Sequence, residues 1–383
     1  MGRESIIIFP DSILWGLWWK QILEFTEKRG ISMSLFFEEA INPGEKASVD
    51  RSVFPFFSFS SIDGNSHNVK EFYFGKHTVP GMDIFDSRMI DVYSSGFQDI
   101  SSVDDLLDIT SSGKSCNIKL SNSITIEEQI KISSGQDVVL QLSKDAEING
   151  TGNVGGNGRL FQVENGKLTV NGNGAKIIAP SSCYGAFRVE TSGSLELNNI
   201  VIENSRKNGL NVKVLGGHAV LNNVTCNSTV GGGVEVTEAK LGEKSSPGHL
   251  VLNNCNFTQK EYGDWCSTCL SVSGGSYLIV NGGKYISENW ALYVFSSGGS
   301  ITVNNGTFVG NRNGECMRAE IDLNSYPGYT GGFKINGGSF DGNAHVISPA
   351  YLVINKGSFT FDPSQYVSQN KSVTVSGDRY VVA

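Results

Sequence analysis

The sequence predicts an all-β solenoid, a shaft grown by stacking short coils, and three observations carry that prediction. A phrase of alternating apolar residues, then Asn, then a small residue and an apolar or aromatic side chain recurs from the middle of the chain to its end. Within each phrase the apolar residues alternate, as Leu195/Leu197 and Ile200/Ile202 do, which is the period of a pleated strand with one buried face. Each copy is too short to bury that face alone, so the copies must bury it against one another.

The copies run in order. After an early one at Val170-Asn171 come Leu195-Glu-Leu-Asn198-Asn-Ile-Val-Ile202, Val220-Leu-Asn222-Asn-Val-Thr-Cys226 and Leu250-Val-Leu-Asn253-Asn-Cys-Asn-Phe257. Four more follow: Leu278-Ile-Val-Asn281-Gly-Gly-Lys-Tyr285, Ile301-Thr-Val-Asn304-Asn-Gly-Thr-Phe308, Phe333-Lys-Ile-Asn336-Gly-Gly-Ser-Phe340 and Leu352-Val-Ile-Asn355-Lys-Gly-Ser-Phe359. From Asn to Asn the steps are 27, 24, 31, 28, 23, 32 and 19 residues. Val, Ile, Thr, Tyr and Phe fill the runs, and the Asn-Asn and Asn-Gly pairs supply the left-handed or tight-turn backbone that other residues resist. One coil is therefore strand, sharp bend, strand, longer return, strand. The fourth residue after each Asn is Ile202, Cys226, Phe257, Tyr285, Phe308, Phe340 and Phe359. Stacking predicts an aromatic column inside and an Asn ladder at the bend, each amide bonding the next, with the side chains of Asn281, Asn304 and Asn336 buried.

These phrases resemble the coils of right-handed, single-stranded parallel β-helices of the pectin-lyase-like kind. The Asn-Gly-Gly-Ser/Thr-Phe coils and the closing Phe361-Asp-Pro-Ser-Gln-Tyr-Val367 and Tyr380-Val-Val are similar to the repeat and end-cap of β-helical phage fibres, tailspikes and surface proteins of gut Firmicutes. So is the opening phrase Ile118-Lys-Leu-Ser-Asn-Ser-Ile-Thr-Ile126 with Ile130-Lys-Ile-Ser-Ser-Gly-Gln-Asp-Val-Val-Leu-Gln-Leu142. The resemblance covers residues 103–383; it implies a fold and, since one fold hosts many functions, no single activity.

Composition fits a turn-rich protein with a long, thin core: 46 Gly but only 9 Pro, and 39% hydrophobic residues. A formal charge of −8 argues against nucleic acid or an anionic membrane as partner, and no apolar run is long enough to span a bilayer. Seven cysteines, an odd number, are scattered through a chain too large to need staples, so buried free thiols are expected. Cys266-Ser-Thr-Cys269 lacks the two further ligands a zinc site needs and the strand-to-helix setting of a redox site, so we expect neither metal nor cofactor.

The first hundred residues differ in kind. Residues 1–32 hold Trp15, Trp18 and Trp19 in an apolar stretch broken by Asp11, which fits neither a signal peptide nor a membrane helix. Lys28-Arg29-Gly30 is what a purine-rich ribosome-binding site would encode at the right distance before Met33, so translation is expected to start at Met33. An intact mass including Met1, from the native source, would count against this. Residues 33–102 carry the aromatic phrases Val53-Phe-Pro-Phe-Phe-Ser-Phe59 and Glu71-Phe-Tyr-Phe74, ahead of an acidic helix-like link at Val103-Asp-Asp-Leu-Leu-Asp108. Two readings stand: a plug for the open end of the solenoid, or an attachment module that docks the shaft on a virion or joins it as a homotrimer.

For function, the polygalacturonase-like phrases Asn-Thr-Asp, Asp-Asp and Gly-His-Gly are missing from the repeats; Asp104-Asp105 precedes them, and His218 lacks the second Gly. The Trp-Ile-Asp-His and Arg-x-Pro-x-x-Arg phrases of pectate lyases are absent too. Counting back about sixteen positions from each Asn gives the return loops, with Arg206-Lys207, Glu261-Tyr262-Gly-Asp264-Trp265, Glu288-Asn-Trp290 and Arg318-Ala-Glu320-Ile-Asp322 at their tips. If coils stack in register, these fall along one side. Ring faces beside charges suit a sugar-binding groove, so Tyr262, Trp265, Trp290, Arg318 and Tyr326 are the expected ligand contacts. Alternatively Trp265 and Trp290 cover the apolar undersides of their own loops. The expectation is a non-enzymatic phage fibre, spike or adhesin, on a virion or cell surface, that binds a polysaccharide or glycan. The alternative is a polysaccharide lyase or glycoside hydrolase working through Asp264, Arg318, Glu320 and Asp322.

Overall fold

A computed structural model describes residues 97–383, except 134, 152–153, 155–157, 242–243, 263–266, 323 and 329–330. In the remainder it describes an antiparallel pairing of Ser34–Leu35 with Phe57–Ser58. The chain divides into two compact units, Met1–Ser95 and Gly96–Ala383. The expectations for residues 1–32 and for the plug or attachment module lie outside the described residues.

The second unit is a parallel β-solenoid with three faces. A representative coil has Ser194–Asn198 on the first face, Val201–Asn204 on the second and Leu210–Leu215 on the third; the next coil lays His218–Asn222, Thr225–Ser228 and Gly232–Thr237 on them in parallel register. The third face is a nine-stranded sheet. The first two merge because Tyr277–Ser287 and Gly299–Gly310 run unbroken through the bend between them. Alternation places Leu195 and Leu197 inside, beneath Ala219 and Leu221 and then Leu250 and Leu252, all buried.

The aromatic column stands in the expected register. Ile202, Cys226, Phe257, Tyr285, Phe308, Phe340 and Phe359 are successive partners, and the rings are fully buried. Centroids from Tyr285 to Phe308, Phe340 and Phe359 are 5.0, 4.9 and 5.0 Å apart with planes within 8°. Strands in a sheet sit about 4.8 Å apart, so in-register pairing sets the rings at stacking distance. The glycine two places before a ring makes room for it. Gly306 and Gly357 have φ of 134° and 147°, and a Cβ there would lie 3.0 and 2.9 Å from the rings of Phe308 and Phe359. Phe257, preceded instead by Cys255, meets Tyr285 edge-on at 69°.

The Asn ladder also forms. Each amide donates to the previous coil's Oδ1, from Asn198 on Asn171 through Asn222, Asn253, Asn281, Asn304 and Asn336 to Asn355, at 2.7–3.0 Å. The Ser368 hydroxyl donates to the last oxygen, on Asn355. The expected burial does not hold: Asn281 and Asn304 are exposed and Asn336 is half-buried. Leu, Val or Ile precedes each Asn and takes the inward position, so period-two alternation turns the amide outward. In the earlier coils the residue after the ladder Asn, namely Asn199, Asn223 and Asn254, takes the left-handed conformation at φ 50–54°.

Both ends are covered. The acidic link is a helix, Val103–Ser111, with a capping box between Ser102 and Asp105; it packs buried Leu106 towards the first coil. Gln136 ties it down by donating to the Thr110 carbonyl at 2.8 Å. At the other end a hairpin of Val373–Ser376 and Arg379–Val382 pairs antiparallel with Gly357–Phe359. Arg379 reaches from it to Asp341, Ser339 and Ser358.

Candidate functional site

The chemistry-bearing side chains gather on the third face near its C-terminal end. Leu292–Val294, Glu315–Ala319 and Asn343–Val346 are neighbouring strands there, and register aligns Tyr293, Arg318 and His345. Inward neighbours Leu292, Met317 and Val294 are fully buried, so the alternate positions face out.

Arg318 is the hub. Its Nε donates to Glu320 at 2.6 Å and its Nη1 to Glu315 at 3.0 Å. Glu315 also accepts from the Trp290 indole at 2.9 Å and has His345 Nδ1 at 3.4 Å, while Glu320 accepts from the Tyr293 hydroxyl at 2.6 Å. Burial pushes the Glu320 carboxyl up, but the hydrogen bonds from Tyr293 and Arg318 outweigh it and hold the group below the ordinary carboxylate range. Burial, with the Glu320 hydrogen bond second, pushes the Tyr293 phenol up. Glu320 is thus ionised and Tyr293 protonated at neutral pH.

A second cation, Arg312, sits above the hub. Its guanidinium lies 4.1 Å from the Trp290 ring centroid and 4.7 Å from that of Tyr262. Its Nη1 donates to Asn289 at 3.3 Å. Among the described residues no carboxylate stands within ion-pair distance of it, in contrast to Arg318.

The expected site residues separate as follows. Trp290 is 3% exposed, stacked on Tyr293 at 4.8 Å, and so covers the structure beneath it instead of offering a ring to a ligand. Tyr262, at 53%, is open, and Tyr326, at 38%, stands in the loop leading back to the first face. Arg318 and Glu320 lie on or beside a strand of the third face, not at a return-loop tip. Asp322 bonds its own loop, accepting from the amides of Asn324 and Ser325; the Ser325 and Asn324 bonds hold its carboxyl below the usual range. Asp264, Trp265 and Cys266 lie outside the described residues. Counting back a fixed number of positions from Asn does not reach Arg312 and Glu315, because the coils vary too much in length. The Asn311-Arg-Asn-Gly314 turn phrase was the available signal for an outward Arg.

A separate row appears on the first face, where His218, His249 and Tyr277 are register partners with ring centroids 4.9 and 5.1 Å apart. All three are exposed.

Six described cysteines are free, and burial pushes the Cys255 and Cys269 thiols up to about 11 and about 12. Among the described residues no group of three or more His, Cys, Asp or Glu could hold a metal ion, and no helix is long and apolar enough to cross a membrane. Comparison with protein-family models, with curated proteins and with solved structures finds no match.

Proposed function

We propose that this chain is a non-enzymatic shaft, of the virion-fibre or surface-adhesin kind, that recognises a glycan at the corner leading into its third face. One observation carries the reading: Tyr262 presents an exposed ring beside Arg312, a cation that no described carboxylate neutralises. A pyranose stacks its apolar side on such a ring and places hydroxyls on the guanidinium. Trp290 holds Arg312 from behind, and the Glu315–Arg318–Glu320 network fixes Trp290. These carboxylates are committed to Arg318, and Glu320 is held ionised, so neither suits the role of general acid. A stacked solenoid supplies the rigidity a fibre needs, and display in several copies would raise a weak single-site affinity by effective concentration.

The test is binding of the purified full chain to a panel of immobilised bacterial polysaccharides and host glycans. Tyr262→Ala and Arg312→Ala should each weaken retention about tenfold or more, equivalent to ~1.4 kcal/mol, with the melting temperature little changed. Release of reducing or unsaturated ends that Glu320→Gln abolishes would replace this reading with the lyase or hydrolase alternative.

A further inference from the structure

We propose that His218 and His249 on the first face form a two-imidazole site for a divalent transition-metal ion of the Cu2+, Ni2+ and Zn2+ class. The two histidines are partners on adjacent parallel strands, both outward and exposed. Their ring centroids are 4.9 Å apart and their planes differ by 41°. Neither imidazole has a hydrogen-bond or ion partner among the described residues, so nothing must be displaced for the nitrogens to turn to a common ligand. Metal–nitrogen bonds are about 2.0–2.1 Å, so one ion bridges nitrogens roughly 3–4 Å apart. Rotation of two exposed rings already tilted to one another closes that gap.

The surroundings support the assignment. Tyr277 braces the far side of His249 at 5.1 Å, limiting how far that ring can swing away. Two imidazoles with water in the remaining positions favour borderline metals over Ca2+ or Mg2+, and among them Cu2+ binds tightest. The bound ion would clamp two consecutive coils together across the first face. This site is independent of the glycan reading, which concerns a different face.

The test uses the full chain and Cu2+, followed by calorimetry and by electron paramagnetic resonance at neutral pH. One copper per chain is expected, with a spectrum showing two equatorial nitrogens, and with copper raising the melting temperature. His218→Ala and His249→Ala should each weaken it at least tenfold, while their melting temperatures without metal stay near that of the parent because both side chains are exposed. The combined change of the other three histidines, His67→Ala, His77→Ala and His345→Ala, should leave binding intact. Equal binding by the His218→Ala or His249→Ala variant, loss of binding in the combined variant, or no binding by the parent chain below millimolar copper would overturn the assignment.

Discussion

Phe308 and Phe340 lie face to face, 4.9 Å between centroids and 8° between planes, because Thr307 and Phe308 pair in register with Ser339 and Phe340. The backbone ladder fixes the rings, so neighbouring coils cannot close in if one is removed. Phe308→Ala should therefore cost roughly 3–5 kcal/mol, and Phe308→Leu clearly less, because it leaves most of the volume filled. Equilibrium unfolding in denaturant measures both; a loss under 1 kcal/mol for the alanine variant would count against a rigid column.

The ladder predicts a smaller effect. Asn304 donates to Asn281 and accepts from Asn336, but it is exposed, so water can satisfy what a substitution leaves behind. Asn304→Ala and Asn304→Leu should each cost about 0.5–1.5 kcal/mol. A loss as large as that of Phe308→Ala would mean that water does not reach the broken rung.

Glu320 links stability to pH. Its carboxyl is held lower in the folded protein than in the unfolded chain, so its contribution is fully present above the ordinary glutamate range near 4.3. It is lost as pH falls from there through the lower folded value. Glu320→Gln should be less stable than the parent at neutral pH, and the difference should narrow in acid. Melting temperature against pH for both proteins is the measurement; a gap that does not change with pH would exclude the linkage.

Burial also governs the thiols. Cys226, Cys255, Cys269 and Cys316 are buried, and desolvation raises each of them. Alkylation of the native protein at pH 8, read by peptide mass spectrometry, should spare all four, and denaturant should expose them together. Rapid native labelling of Cys226 would show that its coil opens locally.

How much of this was legible beforehand can be traced residue by residue. Tyr285, Phe308, Phe340 and Phe359 follow their ladder Asn at a constant spacing, and spacing within a strand translates directly into register. The bend was equally legible, since Asn-Asn and Asn-Gly pairs announce backbone that other residues avoid. The exposure of the ladder was open to the same reasoning, because Val280, Val303 and Ile335 take the inward position immediately before each Asn.

The sequence by itself determined the repeat, the parallel stacking, the contents of the core and the acidic helix at Val103–Ser111. Only the tertiary structure decided who meets whom on the third face. Trp290 is covered because Arg312 and Arg318 reach it from the coil that follows, and Arg318 is silenced by Glu315 and Glu320 while Arg312 is left open. The contacts of Arg312 and Arg318 with Trp290 join residues of different coils across returns of unequal length, whereas Glu315 and Glu320 stand three and two residues from Arg318 on its own coil. A local pattern fixes what lies in one strand, whereas a site between coils depends on where each return loop ends, and that is settled by packing.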